Sequence, residues 1–254
     1  MILITGAAGA IGKATVQQFL DADYHVLGID RDASITDLFQ TPEFVGFQLD
    51  VTDECGLNQA LHFAAVRGGL KHVVQIAGGA LPREPVTQND PLLIDVELFR
   101  ASLDENLTSQ FIVLRAALPL LRATRYGDRS ITLTSSINAL AAMGMPAYSA
   151  AKAGLIGMMH ALAAPLGREG IRINVVAPGT IVTPRTERIW AHDEHHFEDL
   201  AATTLLGRLG TPRDAAHANF AIATELTHVT GQVLVVDGGQ LISHSAFNSE
   251  AAQI

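Results

Sequence analysis

Cysteine is nearly absent from this chain of 254 residues, with Cys55 standing alone. No intrachain disulfide can form, and such usage suits a reducing compartment. Basic residues are also scarce: 17 Lys and Arg stand against 26 Asp and Glu, for a formal net charge of −9. With no basic cluster to neutralise phosphates, nucleic acid is not an expected partner. No apolar run is long enough to cross a bilayer. The apolar opening Met1–Thr5 lacks a basic leader and runs into a glycine-rich turn, so it does not read as a secretory signal. A cytoplasmic protein with no membrane partner is the expectation. Asn106-Leu-Thr108 matches the glycosylation sequon and is read as chance. Linkers and internal repeats are missing too, and the length fits a single domain spanning 1–254.

What the chain has is apolar residues, at 48%. They fall into short runs that alternate with longer helical patterns. Ile2–Thr5, His25–Ile29, Val45–Leu49, His72–Ile76, Ile131–Thr134, Arg172–Val176 and Gln232–Val236 read as strands. Ile11–Leu20, Leu57–Val66, Asn106–Leu121 and Ala147–Arg168 read as helices. Alternation of this kind predicts an α/β fold: a doubly wound, seven-stranded parallel sheet with helices on both faces. The strands are almost wholly apolar, as burial on both faces requires. Thr211-Pro-Arg-Asp214 carries a capping Thr, a Pro at the first helical position and an acid at the third, so a helix starts there. Ser243–Ile254 is polar and expected to be loosely held.

The first strand runs into Thr5-Gly-Ala-Ala-Gly-Ala-Ile-Gly12 and then a helix. Small residues let a pyrophosphate approach the backbone, and the helix start offers free N–H groups and a positive dipole end. A nucleoside-triphosphate loop is ruled out, because Ala7 stands where its first Gly belongs and Ala14 where Ser or Thr belongs. The dinucleotide pattern G-x-G-x-x-G also fails, since Ala7 and Ala8 follow Gly6. The placement of the turn after the first strand therefore counts for more than its letters. Asp30 ends the second strand, 18 residues after Gly12. An acid there accepts hydrogen bonds from the ribose hydroxyls of NAD and repels the 2′-phosphate of NADP. Arg31 follows directly and leaves NADP(H) possible. No basic residue lies within Thr5–Gly12. NAD(H) is the favoured cofactor.

Tyr148 and Lys152 are four residues apart, on one face if the segment is helical. A fixed cation beside a phenol favours the phenolate and makes a usable general acid/base.

Taken together, these residues resemble the short-chain dehydrogenase/reductase family in its form of about 250 residues, over essentially the whole chain. Thr5-Gly-x-x-x-Ala-x-Gly12 looks like the family's cofactor loop, with Gly6, Ala8, Gly9, Ala10, Ile11 and Gly12 against the dinucleotide. Asp50-Val51 resembles the pair at the adenine ring. Ala77-Gly78 matches the end of an Asn-Asn-Ala-Gly motif whose two Asn are here Gln75 and Ile76, which puts a sheet-bracing hydrogen bond in doubt. Asn106, a Ser of the pair Ser135-Ser136, Tyr148 and Lys152 resemble the catalytic tetrad. Pro178-Gly179, Ile181 and Thr183 resemble the nicotinamide segment, and Gly231 with Asp237-Gly-Gly239 the C-terminal turn. Spacing back from Tyr148 selects Ser135, whereas spacing from the preceding strand selects Ser136. Strand ends are better fixed than loops, so Ser136 is preferred.

The resemblance implies a Rossmann fold and hydride transfer between nicotinamide and a secondary alcohol or ketone. Tyr148 would move the proton, its pKa lowered by Lys152 and the oxidised ring. Ser136 would bond the substrate oxygen, Lys152 would also hold the nicotinamide ribose, and Asn106 would position a water leading to solvent. Thr183–Leu206 would form a substrate lid. Ser136, Tyr148, Leu140, Met143 and Trp190 are the candidate substrate contacts, with Met145 beside them. Arg185 and Arg188 read as a solvated face, with a substrate carboxylate as the alternative. His192, His195 and His196 share a helical spacing but read as a solvated lid, and no metal is expected. The stretch Gly79–Glu105, with Pro82, Pro85 and Pro91, is longer than the family's usual and reads as an extended loop. A homo-oligomer, tetramer or dimer, is implied, packed through the Tyr/Lys helix and the last strand. An NADPH-dependent 3-oxoacyl-thioester reductase is the alternative enzyme, and a non-catalytic dinucleotide-binding regulator the alternative of another class. Enoyl reductases space Tyr and Lys further apart, and sugar-nucleotide epimerases need a longer chain.

Overall fold

The computed structural model describes residues 1–81, 84, 91–124, 127–141, 144–189 and 196–247. In chain order the elements are β1 (Ile2–Thr5), α1 (Ala10–Leu20), β2 (Val26–Asp30), β3 (Phe44–Gln48), α2 (Glu54–Val66), β4 (His72–Gln75), α3 (Val96–Leu103), α4 (Ser109–Ala123) and β5 (Arg129–Thr134). There follow α5 (Pro146–Arg168), β6 (Ile171–Pro178), α6 (Pro184–Ile189), α7 (His196–Ala202), α8 (Pro212–Phe220), β7 (Val233–Val236) and α9 (Gln240–Phe247). The seven strands form one sheet in the order β3-β2-β1-β4-β5-β6-β7, every pair parallel. The fold is thus the expected doubly wound α/β sheet, and each expected strand is present within two residues at either end.

Side chains alternate across β1, and the two faces feed two cores. Leu3 joins Leu57, Leu121, Leu155 and Ile173 beneath α2, α4 and α5. Ile2 and Ile4 join Val16, Phe19 and Phe44 on the α1 side. Each fully buried Leu or Ile contributes about 1.5–3 kcal/mol relative to exposure, so the two faces hold the sheet strongly. Thr211 and Asp214 form the expected capping box at the start of α8, each side chain bonded to the other's backbone N–H. Of the segment Ser243–Ile254, expected to be loosely held, only the first residues are described, at the end of α9 (Gln240–Phe247). Ser243 is buried in α9, where its hydroxyl bonds Thr203 O; residues 248–254 lie outside the described set.

The strand order reverses between β1 and β4, one leading to either side of the sheet. Connections there leave in opposite directions and open a crevice at the carboxyl ends of the strands, which is where open α/β sheets bind ligands.

Candidate active site

A cleft of about 1100 Å³ occupies that crevice. Every cofactor-side residue expected from the sequence lines it, from Gly6 to Thr183, as do Ser136, Tyr148 and Lys152. At its outer end Gly6 turns the chain with φ +69°, a left-handed conformation that favours glycine. A Cβ on Gly12 would overlap the backbone of Gly6, so the turn can be this tight only with glycine there. Gly9 caps α1 with no side chain on the first-turn N–H groups. Those donors lack helical partners by geometry and face the cleft as an anion cradle. The residues present therefore fit a dinucleotide pyrophosphate.

Asp30 reaches back to this loop. Its Oδ2 accepts from Ala8 N–H at 2.9 Å and its Oδ1 from Asp32 N–H at 3.0 Å, which fixes the carboxylate at the rim. The Arg31 guanidinium pairs with Glu105 at 3.2 Å across the mouth. Asp50 accepts from both the backbone and the hydroxyl of Thr52, and these bonds hold its carboxyl below the usual range.

The inner end is built from four segments. Ser135 and Ser136 follow β5 directly but face different ways. The buried Ser135 hydroxyl donates to Lys152 O at 2.8 Å, on the α5 backbone. Ser136 Oγ donates to Asn138 Oδ1 at 3.0 Å and lies beside the Tyr148 hydroxyl, where it favours the phenolate. Lys152, 2% exposed, donates from Nζ to Thr134 O at 2.9 Å and stands 5.5 Å from the centre of the Tyr148 ring.

The charges around Tyr148 differ from expectation. Desolvation dominates and pushes its pKa up, although the residue as a whole is only half-buried; the shift reflects the enclosed hydroxyl end. Ser136 and Arg185 oppose that rise, and the Glu84 carboxylate adds to it. The net direction in the protein alone is upward, whereas the expectation was of a phenol lowered by Lys152 together with the oxidised ring. Burial itself brings the Lys152 ammonium down to about 8, and the neighbouring Arg185 charge adds to that.

Asn106 sits in a π turn, Asp104–Thr108, between α3 and α4, and is fully buried. Its Oδ1 accepts from Gly79 N–H at 2.7 Å, and its Nδ2 donates to Gly79 O and Ser102 O, both at 3.1 Å. The side chain clamps the Gly78–Gly79 turn and does not line the cleft. Thr183 lines the cleft, but its hydroxyl also accepts from Thr186 N–H and so caps the short α6.

Two expected substrate contacts, Met143 and Trp190, lie outside the described residues, as do His192 and His195. Leu140 is not on the cleft wall and is 43% exposed. The tight turn Ile137–Ala139 buries Ile137 and throws Leu140 outward. Met145 does line the cleft. Gln75, which replaces a motif Asn, is fully buried, and neither polar atom of its side chain has a partner among the described residues. Gln110 bonds Ala77 O at 2.7 Å and braces the turn from α4 instead.

Glu84 has no counterpart in the expectations. Its Oε1 accepts from Ala147 N–H at 2.9 Å and Tyr148 N–H at 3.0 Å, and its Oε2 accepts from the Ser102 hydroxyl at 3.4 Å. It thereby caps α5, whose own N-cap is the left-handed Met145 with no side-chain bond. The sequence holds a trace of this: Met145-Pro146 starts a 23-residue helix with no capping side chain of its own, so the orphan N–H groups need an acceptor from elsewhere.

Comparison with known proteins agrees with this geometry. The family model described as "Enoyl-(Acyl carrier protein) reductase" matches residues 6–240. Mouse L-fucose dehydrogenase is 31% identical, covering 99% of this chain and 92% of that protein. The 3-oxoacyl-[acyl-carrier-protein] reductase FabG of Thermotoga maritima is 32% identical, covering 94% and 97%. Among solved structures, an oxidoreductase of the short-chain dehydrogenase/reductase family from Burkholderia thailandensis superposes with a TM-score of 0.88 at 37% identity, over 100% of this chain and 97% of that one. ElxO, solved with NADP bound, gives 0.84 at 29%, over 95% and 98%. The chain belongs to the short-chain dehydrogenase/reductase family and is an NAD(P)-dependent oxidoreductase acting on CH–OH or carbonyl groups.

Proposed function

We propose that the protein is an NAD(H)-dependent oxidoreductase of secondary alcohols and ketones, with Tyr148 as general acid/base. The observation that carries this reading is the convergence of Ser136, Tyr148 and Lys152 at the inner end of a cleft whose outer end is the glycine turn with Asp30 at its rim. A bound nicotinamide dinucleotide supplies the hydride donor or acceptor. The first-turn N–H groups of Ala10, Ile11 and Gly12 would hold its pyrophosphate, Asp30 its adenosine ribose, and Asp50 and Val51 its adenine. Pro178, Gly179, Ile181, Thr183, Ala77 and Gly78, which line the cleft, would border the nicotinamide.

In ketone reduction Tyr148 donates its proton to the carbonyl oxygen while Ser136 bonds the same atom. Burial keeps the phenol protonated near neutral pH, which is the form that reduction uses. In oxidation Tyr148 must first lose that proton, so the rate rises with pH. Lys152, bonded here to Thr134 O, would hold the ribose hydroxyls. Asn106 is a positioning residue: every polar atom of its side chain bonds backbone, so it acts by fixing Gly79. The active assembly we propose is a dimer or tetramer packed through β7 and the small, exposed α5 face of Ala153, Gly157, Ala161 and Ala164, with a native mass that is a multiple of 27.0 kDa.

A second reading, NADPH-dependent reduction of 3-oxoacyl thioesters, draws on the FabG relative and on Arg31 at the cleft. Against it stand the Asp30 carboxylate at the rim and the engagement of Arg31 by Glu105. Titration calorimetry decides between them. NADH should bind at least about tenfold more tightly than NADPH, a difference of about 1.4 kcal/mol, and Asp30→Ala should erase it. Tighter NADPH binding by the wild type would overturn the NAD(H) assignment.

A further inference from the structure

Arg185 is set apart from the other arginines near the cleft. Arg31 pairs with Glu105, and exposed Arg188 donates to Pro184 O at 3.0 Å. Elsewhere Arg100, Arg115, Arg122, Arg172 and Arg208 each have a carboxylate partner. Among the described residues Arg185 has neither an ion pair nor a hydrogen bond. It is half-buried, lines the inner cleft, and rests its guanidinium on Gly79, where any Cβ would overlap Nη1. Gly79 is in turn held through both its N–H and its C=O by Asn106, so the guanidinium sits on a fixed floor.

Among the described residues, none gives it a bonded counter-charge. Lys152 is a second buried cation, close enough that Arg185 depresses its pKa. The two nearby carboxylates are engaged: Glu84 with the α5 amides and Glu105 with Arg31. Two cations in one cleft repel each other, and the Glu105 charge that favours the Lys152 ammonium is itself paired with Arg31. An oxyanion bound there removes that cost. A guanidinium meets a carboxylate with two parallel N–H···O bonds, a geometry that a lysine cannot offer.

We propose that Arg185 is the receptor for an oxyanion beside the reacting carbon, and that the oxyanion is the carboxylate of an acidic substrate, a hydroxy acid or oxo acid. The assignment rests on the hydride-transfer reading for the neighbouring carbinol carbon. The other source of the same chemistry is the pyrophosphate of the dinucleotide. The half-burial of Arg185 over Gly79, against Tyr148 and Lys152 at the inner end, favours the substrate.

The test is calorimetry on the protein saturated with NADH, titrated with butyrate and benzoate and, separately, with butyramide and benzamide. At least one acid should bind about tenfold or more tightly than its amide. Arg185→Gln should abolish that preference and leave NADH affinity within about twofold, and Arg185→Lys should restore it only in part. Equal binding of acid and amide by the wild type overturns the proposal, as does a preference that survives Arg185→Gln. Weakened NADH binding in Arg185→Gln, with no acid preference lost, moves the oxyanion to the pyrophosphate and equally overturns the substrate assignment. The readout needs no turnover, so its failure leaves the hydride-transfer reading intact, and failure of that reading leaves Arg185 still tested.

Discussion

At the scale of single residues, two adjacent serines separate by direction. Successive side chains on an extended strand point to opposite sides. Ser135 therefore meets the α5 backbone and Ser136 meets Tyr148. Ser136→Ala should lower kcat by about 10²–10³, the usual loss for one donor to a developing oxyanion. Ser135→Ala should cost about 1 kcal/mol of stability through its lost bond and leave kcat nearly unchanged. Steady-state kinetics with urea unfolding of both variants checks this; the reverse pattern would make Ser135 the catalytic serine. Counting along the chain could not choose between the two, because the loop before Tyr148 sets one count and the strand end the other. Tyr148, Lys152 and Asp30 were legible because their partners lie within one helix turn or at a strand end. Arg185 was legible only as the alternative: its spacing fits a solvated helix face, and the tertiary approach to Gly79 is what brings it into the cleft.

At the scale of elements, α5 presents Tyr148 in its first turn, and what fixes that turn comes from elsewhere in the chain. The Glu84 carboxylate caps the two N–H groups there and complements the positive end of the helix. Its charge also raises the Tyr148 pKa. Glu84→Gln keeps an acceptor but drops the charge. It should move the rising limb of the pH–rate profile for alcohol oxidation to lower pH. Glu84→Ala should in addition cost about 1–2 kcal/mol of stability, the loss expected for a removed cap. An unshifted pH profile in Glu84→Gln would confine Glu84 to a mechanical role. Periodicity reveals such a helix and its missing cap, but not the donor of a cap 63 residues away. The π turn at Asp104–Thr108 was hidden for a similar reason. Its extra residue follows from Asn106 bonding across to Gly79, whereas sequence alone reads a continuous helix.

At the scale of the whole molecule, the sheet separates chemistry from support. The cleft lies at the carboxyl ends of the strands, and a buried polar cluster lies at the opposite edge. There His72 bonds Ser130 Oγ at 2.9 Å near the Arg172–Asp128 ion pair. Burial lowers the His72 pKa from 6.5 to about 4. Between those values the unfolded chain binds a proton that the folded protein does not. Stability contributed by neutral His72 is therefore present above pH 6.5 and lost as pH falls towards 4, by on the order of 3 kcal/mol. His72→Asn should flatten the urea-unfolding midpoint over that window relative to wild type; parallel curves would remove His72 from acid sensitivity. The parallel sheet itself was legible throughout, because strands buried on both faces leave runs of apolar residues that no surface element imitates.

The measurement that bears most directly on the proposed chemistry is a comparison of wild type and Tyr148→Phe, each with NAD+ and a set of secondary alcohols, alongside NADH affinity by calorimetry. Phenylalanine keeps the ring between Lys152 and Ser136 and removes only the hydroxyl. The account predicts turnover down by at least about 10²–10⁴, the range for a lost general acid/base, with NADH affinity within about twofold of wild type. Turnover near the wild-type level in Tyr148→Phe would contradict it.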